Sequence, residues 1–104
     1  MIHVVATIEL IPGTREAFLE EFRSVVPAVL EEHGAIEYGA AVDLNTKIER
    51  QVPLRDDVVT IIEKWEDVPS LEAHLVAAHM LAYRERIKDY VQDAQLQILQ
   101  PAAL

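Results

Sequence analysis

The spacing of apolar and polar residues predicts two elements in the first third of the chain. Residues Ile2 to Leu10 are rich in β-branched side chains, which is typical of a short strand buried on much of both faces. From Arg15 to His33 the apolar positions recur at helical spacing, with Thr14 as the N-cap and Gly34 as the stop. Pro27 lies on the polar face and predicts a bend rather than a break. The apolar face consists of Phe18, Phe22, Val25, Val26, Val29 and Leu30.

The middle of the chain predicts two strands joined by a long irregular segment. Residues Ala35 to Leu44 predict a weak strand, and Asp57 to Glu66 predict the clearest strand of the chain. Alternation along the second of these places one set of side chains on a common face: Val59, Ile61, Glu63 and Trp65. Between the strands, Asn45 to Asp56 has no periodicity. This segment is either a solvated hairpin loop, or a lid over a pocket or an arm across a dimer.

The last third predicts a helix pair and a final strand. Asp67 is placed to cap a helix that continues through Leu75. A second helical piece is predicted from about His79 to Val91, and Ala94 to Leu99 alternates as a strand does. The inward positions of the second helical piece are Met80, Tyr83, Ile87 and Val91.

This order of elements predicts the architecture. Strand, helix, strand, strand, helix pair and strand fold by right-handed crossovers into a four-stranded antiparallel sheet with helices on one face, the ferredoxin-like α+β plait. We expect one domain that covers residues 1–104. The sheet face away from the helices is expected to be apolar, so a second copy of the chain would cover it in a homodimer.

Composition excludes several classes of function. A net charge of -9 makes a nucleic acid an unsuitable partner, since phosphate binding requires a basic surface. The chain has no cysteine, and therefore no disulfide, no thiolate nucleophile and no cysteine-ligated metal. No apolar run approaches the roughly 18 residues that a membrane span needs, and no signal-peptide pattern opens the chain. We expect a soluble, cytoplasmic protein that binds no membrane.

The side chains able to do chemistry cluster between Glu63 and Arg84. His74 and His79 are five residues apart, about 140° on one continuous helix at about 100° per residue, whereas helical metal pairs are three or four apart. We therefore expect no metal site. A histidine beside an apolar wall is instead a candidate general base, because it titrates near neutral pH. Otherwise each histidine is a hydrogen-bonded helix residue without a catalytic duty.

Other residues of this stretch are candidates for substrate binding. Trp65 is either a core residue or a flat wall against which an aromatic ligand stacks. Glu63 faces the same way and needs a hydrogen-bonding partner, while Tyr83 follows His79 by one turn and is placed to hydrogen-bond with it. Arg84 is either a surface residue or a site for an anionic phenolate.

Motifs across nearly the whole chain resemble the antibiotic biosynthesis monooxygenase family of quinol-monooxygenase-like proteins. The opening VVATIELIPGTREAFLEEF is similar, and the more specific part is Glu63-x-Trp65 followed by Leu71-x-x-His74-x-x-x-x-His79-Met80. The resemblance implies a ferredoxin-like protomer that pairs into a dimeric α+β barrel. It also implies oxygenation of a small phenol or quinol by O2 with no metal, flavin or other cofactor.

By the same resemblance, His74 or His79 is the base, Trp65 the stacking wall and Glu63 the orienting carboxylate. The haem-degrading branch uses an asparagine on its first strand, but the only asparagine here, Asn45, lies in the irregular segment, so haem degradation is not expected. Leu71 and Ile61 stand near where the polyketide-tailoring branch uses Asn and Tyr. Two alternatives stay open: a non-catalytic barrel that binds a small hydrophobic ligand, and an isomerase or decarboxylase-like enzyme on the same scaffold.

Overall fold

A computed structural model describes residues 1–103 and contains four strands and three helices within them. In chain order they are β1 (Ile2–Leu10), α1 (Arg15–Leu30), β2 (Ala35–Ala41), β3 (Val58–Trp65), α2 (Val68–Leu75), α3 (Ala78–Ile87) and β4 (Val91–Leu99). The order of elements is the predicted one, including the pair of short helices between the last two strands.

The four strands form one antiparallel sheet in the order β2-β3-β1-β4. The β-branched strand β1 is central and pairs with both β3 and β4, as its burial on both faces predicts. This order, with the helices connecting the strands, confirms the ferredoxin-like α+β fold.

The core lies between the sheet and the helices. Val4 pairs with Glu63 and Ala6 pairs with Ile61, so alternate residues of β1 and β3 share the inner face. Helix α1 packs Phe18 and Phe22 against this face, because both belong to its apolar stripe. The apolar pattern of β3 thus directs Glu63 and Trp65 toward the helices.

Two predicted helix caps have different outcomes. Asp67 caps α2 as predicted, since its Oδ1 accepts the Ser70 backbone N–H at 2.9 Å. Thr14 is the N-cap residue of α1 as predicted, but its side chain makes no capping hydrogen bond to the helix. Its hydroxyl instead donates to the Ile11 carbonyl at 2.7 Å, in the turn that leaves β1.

Two helices end earlier than their apolar spacing predicts. Helix α1 stops at Leu30, and Leu30 itself is 48% exposed rather than part of the buried stripe. Helix α3 stops at Ile87, and Val91, predicted as an inward helical residue, is the first residue of β4. Val91 pairs with Leu10 of the central strand, and the hydrogen bonds of the sheet override the helical spacing there.

The second strand is also shorter than predicted. It ends at Ala41, which pairs with Thr60, and residues 42–44 lie beyond the last pair with β3. The 45–56 segment contains no helix or strand, in agreement with its lack of periodicity. Arg55 closes its ends with two side-chain hydrogen bonds to Asp43, each 2.9 Å long, and this ion pair lowers the pKa of Asp43.

Many of the exposed apolar side chains lie on the loop between β2 and β3 or on β4. The loop residues Leu44 and Ile48 are 74% and 69% exposed, and Leu96 and Ile98 of β4 are each more than half exposed. Leu96 pairs with Ala6, so it belongs to the helix side of the sheet, where no helix covers β4. The outward face is less apolar than predicted: Val5 and Ile62 pair there among polar neighbours such as Thr7 and Lys64. Within residues 1–103, none of the helices combines the length and apolar character that crossing a bilayer demands.

Candidate active site

A cavity of about 340 Å³ lies between the inner face of the sheet and helices α2 and α3. Its apolar lining includes Phe18, Ile61, Met80 and Leu96. Its polar lining consists of Tyr38, Glu63, His74, Tyr83, Arg84 and Lys88. An apolar cavity with a few converging polar groups is the usual form of a small-molecule binding site.

Trp65 and Glu63 form a buried hydrogen-bonded pair. Glu63 lines the cavity, and Trp65 lies behind it. Alternation along β3 places both on the inner face, and the Trp65 Nε1–H donates to Glu63 Oε1 at 2.9 Å. Glu63 is 6% exposed. Burial raises the pKa of the Glu63 carboxyl, because a desolvated carboxylate is costly, although the Trp65 hydrogen bond and the charge of His74 partly offset this.

This raised pKa predicts how stability depends on pH. A carboxyl that holds its proton more tightly when folded contributes full stability below its unfolded-state pKa and loses that contribution as pH rises through the folded-state pKa. Glu63→Gln keeps an acceptor for Trp65 and cannot ionise. Its free energy of unfolding should therefore rise relative to the wild type as pH increases, measured by urea unfolding from about pH 4 to about pH 8. The exposed Glu72→Gln is the control, and a difference that stays constant with pH would contradict the expectation.

His74 lies at the junction of these groups. It projects from α2, is 2% exposed and contacts the Trp65 indole with ring centroids 4.6 Å apart. The ring of Tyr38 meets it edge-on at 5.3 Å. The His74 Nδ1 lies 2.9 Å from Glu32 Oε2. The imidazole is therefore fixed by packing on its faces and edge, and by a carboxylate at one nitrogen.

His79 is directed to the same carboxylate rather than to the cavity. Its Nε2 lies 2.7 Å from Glu32 Oε2. The chain leaves the helix at Val76 and Ala77, so the two histidines lie on separate helices and the 140° separation expected on a single helix does not apply. Within the described chain, no three His, Cys, Asp or Glu side chains are arranged to hold a metal ion.

The hydrogen bonding of His74 determines which nitrogen faces the cavity. An ionised Glu32 carboxylate only accepts hydrogen bonds, so a neutral His74 carries its proton on Nδ1. Within residues 1–103 no hydrogen bond engages His74 Nε2, whereas every fully buried side-chain nitrogen or oxygen there has a hydrogen-bond partner. The Nε2 atom is therefore not fully buried. Because the ring lines the cavity, its unprotonated Nε2 is open to a bound molecule.

Two tyrosines complete the polar lining. Burial raises the pKa of Tyr38 and of Tyr83 far above the ordinary phenol range, so both are neutral hydrogen-bond donors near pH 7. The predicted hydrogen bond between Tyr83 and His79 is absent from the described residues. Tyr83 instead packs against Phe18 and Phe22, with ring centroids 6.4 Å and 6.5 Å away, and lines the cavity.

The structure brings together part of the predicted site. Glu63, His74, Tyr83 and Arg84 line the cavity, whereas Trp65, Leu71 and His79 do not. The prediction that Trp65 forms a wall against the ligand does not hold in the protomer, because the indole is 0% exposed beneath Glu63 and His74. Leu71 is a core residue at 2% exposure. No residue of the 45–56 segment is among those that line the cavity, so in the protomer this segment is a loop rather than a lid.

The sequence did not single out Glu32, and Glu63 was expected to be the orienting carboxylate. In the structure the carboxylate at His74 Nδ1 is that of Glu32, while Glu63 binds Trp65. Glu32 lies in the turn after α1, beside an identical neighbour, Glu31. The spacing of the buried residues of α1 distinguishes the two, because Glu32 follows Val25 and Val29 on the same stripe, whereas Glu31 lies on the polar face.

Comparison with known proteins gives matches over most of the chain. A family model described as antibiotic biosynthesis monooxygenase matches residues 1–86. A curated relative from Escherichia coli (strain K12), named "Probable quinol monooxygenase YgiN", is 41% identical over 103 residues, which covers 97% of this chain and 98% of the relative.

Solved structures share the fold at lower sequence identity. PA3566 from Pseudomonas aeruginosa superposes with a TM-score of 0.80 at 25% identity and covers 98% of this chain and 94% of its own. A protein from Nitrosomonas europaea superposes with a TM-score of 0.82 at 16% identity. The match covers 99% of this chain and 100% of the Nitrosomonas chain.

Proposed function

Because the chain belongs to the antibiotic biosynthesis monooxygenase family, we propose that it inserts one atom of O2 into a small phenol or quinol bound in the cavity. The observation that carries this proposal is the buried His74, which lines a largely apolar cavity while its Nδ1 lies 2.9 Å from a carboxylate oxygen of Glu32. The relative named as a quinol monooxygenase supports the choice of substrate class.

The proposed reaction needs no reductant, because the substrate supplies all the electrons. A quinol and O2 give a hydroxyquinone and water: one oxygen atom forms a C–O bond to the ring, and the other leaves as water with two hydrogens of the substrate. A phenol gives a quinone with the same balance. Deprotonation makes the aromatic ring electron-rich enough to pass an electron to O2 itself, so neither metal nor flavin enters the proposed mechanism.

Each cavity residue has a proposed role in this chemistry. His74 Nε2 accepts the proton of the substrate hydroxyl, and the apolar walls exclude water from the oxygenated intermediate. The neutral phenols of Tyr38 and Tyr83 donate hydrogen bonds to substrate oxygens. Glu63, buried and held by Trp65, keeps the inner end of the cavity polar and contacts a second hydroxyl.

Arg84 is proposed to favour the ionised form of the substrate. It lines the cavity, and within residues 1–103 it takes part in no salt bridge, so its charge is available to a phenolate. Arg84→Gln should raise KM by about 3- to 10-fold for phenols that carry an anionic group and by less for neutral ones.

The test compares steady-state kinetics at low and high salt, because screening should reduce the wild-type preference and leave that of the variant unchanged. Arg23→Gln, an exposed arginine on α1, is the matched control. Equal changes in KM for charged and neutral phenols would contradict this role.

The protomer is proposed to act as a homodimer. The exposed Leu96 and Ile98 leave the β4 side of the cavity uncovered, and the apolar loop residues lie at another exposed edge. A second copy of the chain would bury these side chains. Light scattering should give about twice the protomer mass of 11.7 kDa, and a monomer at micromolar concentration would contradict the proposal.

Oxygen uptake with a panel of phenols, naphthols and hydroquinones tests the proposed function. Metal-free and flavin-free protein should accelerate O2 consumption, with one O2 used for each substrate molecule. Binding of these compounds without turnover would instead identify a non-catalytic barrel. An isomerised or decarboxylated product formed under argon would identify the other class of enzyme on this scaffold.

A further inference from the structure

Glu32 is shared between two histidines at the edge of the proposed active site. A single oxygen, Oε2, lies 2.9 Å from His74 Nδ1 and 2.7 Å from His79 Nε2. The exposed fraction of the side chain increases from 2% for His74 to 13% for Glu32 and 32% for His79. The carboxylate thus lies between a buried ring that faces the cavity and a ring that reaches solvent.

The backbone fixes this cluster from three sides. Glu32 lies in the turn after α1. Gly34, two residues later, has φ +80° and packs so closely on Ser70 of α2 that a Cβ would collide with the serine side chain. His74 lies in the last turn of α2, and His79 lies in the first turn of α3 after the break at Val76 and Ala77. The contact of the turn after α1 with α2 therefore sets the distance between the carboxylate and the His74 ring.

We infer that Glu32 is the positioning residue for the proposed base, with His79 as its anchor. This inference rests on the proposed function and deepens it. Glu32 holds the Nδ1–H of His74 and thereby leaves Nε2 unprotonated toward the cavity. After Nε2 takes the substrate proton, the carboxylate stabilises the imidazolium until the proton is returned to form water. The second hydrogen bond, from His79, keeps the carboxylate from rotating away.

The other groups around His74 cannot take over this role. Glu63 and Tyr38 face the ring from the sheet, but Glu63 is engaged by the Trp65 Nε1–H. Tyr38 meets the ring edge-on, and its raised pKa keeps it neutral. Glu32 is the carboxylate in hydrogen-bonding contact with the imidazole.

A graded series of variants tests this role by kinetics. Glu32→Gln keeps an acceptor and removes the charge, and it should lower kcat at least about 10-fold while KM changes less than about 3-fold. Glu32→Ala removes the acceptor as well and should lower kcat further, because the tautomer is no longer fixed. Glu31→Gln, the exposed neighbour, should match the wild type.

The acidity of the substrate separates positioning from a merely structural effect. A phenol acidic enough to be ionised in solution does not need the base. The ratio of wild-type kcat to Glu32→Gln kcat should therefore approach one as substrate acidity increases. A loss of equal size for every phenol would overturn the inference. His79→Gln, which leaves the His74 bond in place, should show a smaller loss with the same trend, and it provides the test if Glu32→Ala does not fold.

Nitrogen-15 NMR of the histidine rings tests the geometry without turnover. In the wild type His74 should carry its proton on Nδ1, and Glu32→Ala should convert this ring to a mixture of both tautomers. A His74 ring protonated on Nε2 in the wild type, or unchanged in Glu32→Ala, would overturn the inference even if the protein oxygenates quinols. If the protein shows the expected tautomer but consumes no O2, the result would support the positioning role of Glu32 and contradict the proposed function.

Discussion

Replacing His74 by glutamine is expected to lower kcat for phenol oxygenation by about 10²- to 10⁴-fold, the usual contribution of a general base. The variant keeps a polar side chain of similar length beside Trp65 and Glu32, but it has no group that accepts a proton near neutral pH. KM should change much less than kcat, because the cavity walls remain. Steady-state O2 uptake measures both parameters.

The matched control is His33→Gln, since the side chain of His33 is 89% exposed and lies outside the cavity. It should leave kcat unchanged. The His74→Gln defect should also diminish at alkaline pH as a phenol with a pKa near 10 ionises in solution. A His74→Gln variant with wild-type kcat at neutral pH would contradict the assignment of His74 as the base.

Replacing Trp65 by alanine is expected to lower the free energy of unfolding by about 3–5 kcal/mol, the usual cost of truncating a buried aromatic residue. The indole is 0% exposed, so its removal leaves a cavity at the centre of the core. It also removes the hydrogen bond that the buried Glu63 accepts. The free energy of unfolding of Trp65→Phe should lie between those of the wild type and Trp65→Ala, because phenylalanine fills much of the space but supplies no donor to the carboxylate.

Urea unfolding followed by far-UV circular dichroism measures this loss. Fluorescence is unsuitable, because Trp65 is the only tryptophan of the chain. Leu44→Ala, at a loop position that is 74% exposed, should change the free energy of unfolding by less than about 0.5 kcal/mol. A Trp65→Ala variant as stable as Leu44→Ala would mean that the indole is not buried in solution.

The elements of the fold could largely be predicted from the sequence, because their signals are local. The run of β-branched residues marks β1, alternation marks β3, and the Asp67 cap marks the start of α2. The boundary between α3 and β4 could not be predicted in this way. Val91 fits the helical spacing of α3, and only its pairing with Leu10, far away in the chain, makes it a strand residue.

The candidate site was predictable to a lesser extent for the same physical reason. Alternation places Glu63 and Trp65 on the inner face, but it does not determine depth, so the indole lies behind the cavity rather than in its wall. Glu32 is 42 residues from His74, and their contact depends on how the turn after α1 packs against α2. The motifs around Trp65, His74 and His79 identify the family, whereas the carboxylate that joins the histidines emerges only from the tertiary structure.

Turnover of a hydroquinone under ¹⁸O2 is the most direct test of monooxygenation in this cavity. The product should be reduced at once, to stop its carbonyl oxygens from exchanging with water, and analysed by mass spectrometry. We expect one labelled oxygen atom in each hydroxylated product, with the other atom in water. An unlabelled quinone formed together with hydrogen peroxide would contradict it.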